Sequence, residues 1–84
     1  MITLKNTDTQ VVNWYALPKY SIDLTEAIAK GTLAAQSQTT IDPPTTVNIL
    51  FAFPKRQYAA LGIAGQGSTV VFYNVGPGTY CTIT

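Results

Sequence analysis

The side chains that most often run enzyme chemistry are scarce in this chain, and histidine is missing altogether. Without imidazole, the commonest general base and the commonest metal ligand are both gone. Four acids remain: Asp8, Asp23, Glu26 and Asp42. They are scattered, and they lack the close Asp and Asn spacing of a calcium loop. Asp23 and Glu26, three residues apart, can share a helix face as a carboxylate pair. At the start of an apolar run, the same two residues read better as a capping arrangement. The single cysteine, Cys81, has no histidine to activate it and alternates with Ile83 as a core residue would, so a structural role is expected. These residues point away from an enzyme, and no metal or cofactor is expected.

Two segments approach ligand-binding motifs without completing them. Gly62 to Thr69 reads GIAGQGST and resembles a phosphate-binding loop. That loop needs a lysine before Ser/Thr and a helix after it, whereas Ser68 holds the lysine position and Thr69 to Tyr73 is strand-like. Phe51-Ala52-Phe53 is similar to the aromatic core of an RNA-recognition strand. The basic-glycine pair that should precede it is replaced by Ile49-Leu50. Lys55 and Arg56, flanked by Phe53 and Tyr58, leave stacking on single-stranded nucleic acid as a minor reading. A net charge of +1 gives no general attraction for it.

Tyrosine and asparagine are the remaining candidates. Tyrosine offers a rigid ring and a hydroxyl at low entropy cost, which suits recognition surfaces. Asn13, Tyr15, Tyr58, Tyr73, Asn74 and Tyr80 are the expected ligand-binding set. Rings and neutral hydrogen-bonding groups are what a lectin-like face for a glycan, or a site for a lipid head group, would use. Composition agrees: charged residues make up 11% of the chain, against about 25% in an average domain. Thirteen threonines lead the uncharged polar residues.

The elements that must position these residues read as strands. Ile2 to Asn6 and Gln10 to Leu17 alternate with period two, with Val12, Trp14 and Ala16 on one side. Val47 to Phe53, Tyr58 to Ala64, Ser68 to Val75 and Thr79 to Thr84 follow, separated by Pro54-Lys55-Arg56, Gly65-Gln66-Gly67 and Gly76-Pro77-Gly78. Thr32 to Ile41 reads as a strand or an extended loop. One short helix is a possibility near 23–30, capped by Asp23 and ended by Gly31; the other reading is a loop followed by a strand.

Six to seven short strands in 84 residues predict a single all-β domain spanning residues 1–84, a small antiparallel β-sandwich, with a small barrel as the alternative. The expected core is Leu4, Val12, Trp14, Ile49, Phe51, Phe53, Leu61, Ile63, Phe72, Cys81 and Ile83. A sandwich sheet should have one polar face, yet Leu50 sits beside Ile49 and Phe51, and Val70 and Val71 beside Phe72 and Tyr73. Apolar residues on both faces predict burial against another chain, hence a homo-oligomer. The two functions that follow are a non-enzymatic recognition module and, alternatively, a structural or assembly subunit of a particle or filament. One cysteine precludes an intrachain disulfide. No apolar run is long enough for a membrane span, and no signal-peptide pattern is seen, which fits a cytoplasmic chain or one exported by a non-classical route.

Overall fold

A computed structural model describes residues 1–55, 58–76 and 78–84. The expectations placed on Arg56, in the basic turn, and on Pro77, in the Gly-Pro-Gly turn, lie outside the described residues.

Eight strands are formed among the described residues: β1 (Ile2–Asn6), β2 (Val12–Pro18), β3 (Ala29–Leu33), β4 (Gln38–Ile41), β5 (Val47–Ala52), β6 (Ala60–Ala64), β7 (Thr69–Val75) and β8 (Gly78–Ile83). They make two four-stranded sheets, ordered β4-β1-β7-β8 and β3-β2-β5-β6. The fold is the β-sandwich that the strand pattern predicts. Every pairing is antiparallel except β1 with β7, which run parallel with Leu4 opposite Val70. Residues 29–41 account for the strand beyond the expected seven. They hold two strands, one for each sheet, divided by a turn in which Gln36 takes a positive φ of 53°.

The inward faces meet in one core of Ile2, Leu4, Val12, Trp14, Ala16, Leu33, Val47, Ile49, Phe51, Val70 and Phe72, with Ala59, Ala60 and Ala64 at one side. The Phe72 ring packs tilted against Phe51 and edge-on against Phe53, with centroids 5.2 and 5.7 Å apart, a geometry that favours aromatic pairs. Leu61 and Ile63 are not in this core, contrary to expectation. On β6 the inward positions are Ala60, Gly62 and Ala64, because Cys81 and Ile83 press on Gly62. A Cβ built there would lie 2.8 Å from Ile83 Cδ1 and 3.1 Å from Cys81 Sγ. Only small side chains fit, so Leu61 and Ile63 turn outward. Ile83 itself stays partly exposed.

Residues 19–28, joining β2 to β3, cross the outer face of the second sheet as a strap. Of the two readings of this segment the structure takes the second, a loop followed by a strand: β3 follows, and the helix is reduced to one 3-10 turn, Leu24–Glu26. Asp23 caps it as anticipated, its carboxylate accepting from Thr25 N at 2.9 Å and Thr25 Oγ1 at 2.6 Å. The chain then leaves the turn because Ile28 N donates to Ala16 O, which draws it into β3. Gly31 is not a helix cap. It lies opposite Trp14 in the β2–β3 register, and a Cβ there would meet the indole at 2.9 Å. The glycine makes room for the tryptophan.

Under the strap, Leu17, Leu50 and Ala52 form a second buried cluster, with Tyr15, Leu24, Ala27 and Leu61 packed around it. All six residues of β5 are therefore buried, and the cover over Leu50 and Ala52 is the chain's own. Asn48 fastens the strap: its Nδ2 donates to Ser21 O at 2.7 Å. It is 2% exposed, and its Oδ1 has no hydrogen-bond partner among the described residues.

Candidate functional site

The structure distributes the six sequence-predicted site residues over three places. Asn13 and Tyr15 lie on the outer face of the second sheet. Asn13 accepts from Thr32 Oγ1 at 3.3 Å, and Tyr15 packs against the cluster beneath the strap. Tyr58 reaches the same side and lines a cavity of about 490 Å³ with Ile22, Asp23, Leu24, Leu50 and Leu61. Asn74 sits at one end of the sandwich, where its Nδ2 donates to Asp8 Oδ2 at 3.3 Å. It lines a second cavity, of about 860 Å³, with Gln10, Val11, Phe53 and Thr79 among others. Tyr73 and Tyr80 are on the outer face of the first sheet. No single concavity gathers all six.

Tyr73 and Tyr80 are the members of the set shown in direct contact with each other. They are cross-strand partners in the β7–β8 register, and their rings stack at 5.0 Å with an interplanar angle of 16°. Each ring covers one face of the other. β8 is an edge strand, so the second face of Tyr80 looks away from the sheet; the residue is 47% exposed.

Register places a group of residues around this pair that sequence reasoning did not single out. Thr3 lies opposite Thr40 on β4 and opposite Thr69 on β7. Thr69 in turn exchanges two backbone hydrogen bonds of 3.0 Å with Thr84. Thr40, Thr3, Thr69 and Thr84 thus form one row across β4, β1 and β7 and the residue that follows β8. Their neighbours in sequence, Ile2, Leu4, Ile41, Val70 and Ile83, occupy the inward alternation, so the threonines point out. The next row holds Gln38, Lys5, Val71 and Thr82, and the row after it holds the tyrosine pair. Lys5 is the one charged side chain in these rows. Thirteen threonines are visible in the sequence, but residues 3, 40, 69 and 84 become neighbours only through a parallel pairing and a strand crossing between sheets, and no local pattern signals either.

Two titratable groups depart from their ordinary ranges. Burial pushes the Cys81 thiol above its ordinary range, which opposes the thiolate a nucleophile needs. Hydrogen bonds from the Thr25 hydroxyl and backbone hold the Asp23 carboxyl below its ordinary range, as befits a cap. Among the described residues, no three of His, Cys, Asp and Glu gather where they could hold a metal ion, and no helix is long and apolar enough to cross a membrane. Compared with known proteins, the chain matches no family model, no curated protein and no solved structure.

Proposed function

We propose that this protein is a non-enzymatic recognition module that binds a neutral glycan on the outer face of the β4-β1-β7-β8 sheet. The observation that carries this reading is the stacked Tyr73–Tyr80 pair, with one ring face open at the sheet edge, on a threonine-rich surface with a single charged side chain, Lys5. Sugars present flat C–H faces and hydroxyl edges. An aromatic face meets the first and neutral hydrogen-bonding groups meet the second, with no need for charge. A lipid head group is the poorer fit, since a phosphate calls for several cationic partners and only Lys5 is at hand.

Two variants test the proposal. Tyr80→Ala removes the open ring, and Tyr73→Ala removes the ring that props it. Each is expected to abolish retention on immobilised neutral glycans while leaving the circular dichroism of the fold in place. A wild-type protein retained by no neutral glycan, or variants retained as well as wild type, would reject the reading.

A second reading, an assembly subunit, draws on Val75, 55% exposed on β7, and on Val11 and Ile63, which are also exposed. It is weakened at the second sheet, where the apolar outer face of β5 is already covered by residues 19–28. Self-association would then have to use the remaining apolar residues.

A further inference from the structure

The neutral-glycan reading leaves open what kind of glycan would bind, and the shape of the face bears on that. Thr3, Thr40, Thr69, Thr84, Tyr73 and Tyr80 do not line the two cavities described above, nor a third of about 370 Å³ that Lys5 and Gln38 line with Asn6, Thr7, Gln36 and Ser37. The threonine row and the tyrosine pair thus lie outside these concavities, on a face whose middle row borders one of them at Lys5 and Gln38. A row of four residues on adjacent strands extends about 14 Å, at roughly 4.8 Å per strand. Along β7, from Thr69 to Tyr73, the same face runs about 13 Å further, at roughly 3.3 Å per residue. A single ring touches only a fraction of such a surface and forgoes most of its contacts.

We infer that the ligand is an extended, uncharged, flat-faced polysaccharide, of the type made by β-1,4-linked hexoses, which lies across the threonine row and the tyrosine pair together. Such chains are straight ribbons with C–H faces and hydroxyl edges, so one chain laid along β7 and the residues paired with it meets Thr69 and Thr84 and then Tyr73 and Tyr80, and the side of a bundle of chains reaches Thr3 and Thr40 as well. Unlike Thr7, Thr32 and Thr79, whose hydroxyls are bonded within the chain, none of the four row threonines has a side-chain hydrogen bond to the rest of the protein among the described residues. Their hydroxyls are left to a ligand or to water. Thr40, Thr3 and Thr69, held on three hydrogen-bonded strands, also keep a fixed spacing, which favours a rigid, repeating partner over a flexible one.

The inference rests on the neutral-glycan reading, and the experiment separates the two. Sedimentation with microcrystalline cellulose and with chitin is measured for wild type, for Tyr80→Ala and for the pair Thr3→Val with Thr69→Val. Cellobiose and chitobiose serve as competitors. Valine keeps the shape and strand preference of threonine, so the double variant is expected to fold; circular dichroism checks this, and Thr3→Ser with Thr69→Ser, which keeps the hydroxyls, provides a second comparison. The expected result is binding to a polymer that the disaccharides do not displace. It is lost in Tyr80→Ala, falls about tenfold in the valine pair at roughly one hydrogen bond per hydroxyl, and is largely kept in the serine pair. Disaccharides that bind as tightly as the polymer, or a valine pair that binds like wild type, would overturn the inference while leaving the neutral-glycan reading in place. No binding to any neutral sugar, soluble or insoluble, would overturn both.

Discussion

At the residue scale, the tightest constraints fall on two glycines and a cysteine. Gly31 lies under the Trp14 indole, and Gly62 lies under Ile83 and Cys81. Gly31→Ala forces a methyl group against a ring buried between two strands. It is expected to cost about 1–3 kcal/mol, read as a lower urea midpoint. Gly78→Ala, where a Cβ meets nothing within 4 Å, serves as the control and should shift the midpoint little. Cys81 makes the fold sensitive to alkali. Its thiol titrates above the ordinary value of 9.0 when folded, so the unfolded chain loses the proton first. Stability from this residue is complete below the unfolded value and declines as pH rises through it towards the folded one. Urea midpoints should run parallel for wild type and Cys81→Ala below the ordinary value of 9.0 and fall more steeply for wild type above it; equal slopes there would show that the thiol does not contribute.

At the element scale, the strap decides how the second sheet is read. Leu24 packs on the Leu17–Leu50–Ala52 cluster, and Leu24→Ala is expected to cost about 1–2 kcal/mol while exposing part of the apolar outer face. Binding of a hydrophobic dye should rise before global unfolding, and hydrogen exchange at the Ile28 amide should quicken. A variant with wild-type dye binding would show that the strap is not seated on Leu24. The strap also marks where the sequence stops being readable. Period-two alternation placed Val12, Trp14, Ala16, Ile49 and Phe51 inward correctly, because each faces a core that their own strands define. It misplaced Leu61 and Ile63, because the inward choice on β6 is set by Cys81 and Ile83 twenty residues away. It took Leu50 as a sign of another chain, because the cover comes from residues 19–28, which carry no strong helix or strand signal. The stacked tyrosines were named individually, but their contact depends on the β7–β8 register. The threonine row depends on Thr3 pairing with both Thr40 and Thr69, the latter across the parallel β1–β7 ladder, and these pairings leave no trace in local sequence.

At the scale of the whole molecule, the N-terminal strand is structural rather than peripheral. β1 lies between β4 and β7 in the first sheet, and Ile2 and Leu4 are fully buried. Leu4→Ala is expected to cost about 2–5 kcal/mol, a large part of the roughly 5–15 kcal/mol that holds a domain together. Thermal unfolding checks it, and a shift of only a degree or two would contradict the packing described. Folding must wait for residues 3–6 to find residues 69–72. Non-local pairing of this kind predicts refolding in milliseconds to seconds rather than microseconds, measurable by stopped-flow mixing. Self-association is decided at this scale too. Light scattering at high concentration is expected to give a monomer if the strap satisfies the second sheet, and a defined oligomer if Val75 and its neighbours form a contact.

The placement of the aromatic residues also gives each sheet a native optical signal. Trp14, the only tryptophan, reports from the β3-β2-β5-β6 layer. The coupled Tyr73–Tyr80 rings, 5.0 Å apart, report from the opposite layer through near-ultraviolet dichroism. Tryptophan emission and the tyrosine signal can therefore be followed in one unlabelled sample. Coincident transitions would mean that the two layers melt as a single cooperative unit. Separated transitions would mean that one layer survives the other, and their order would show which face of the molecule is the framework and which is carried on it.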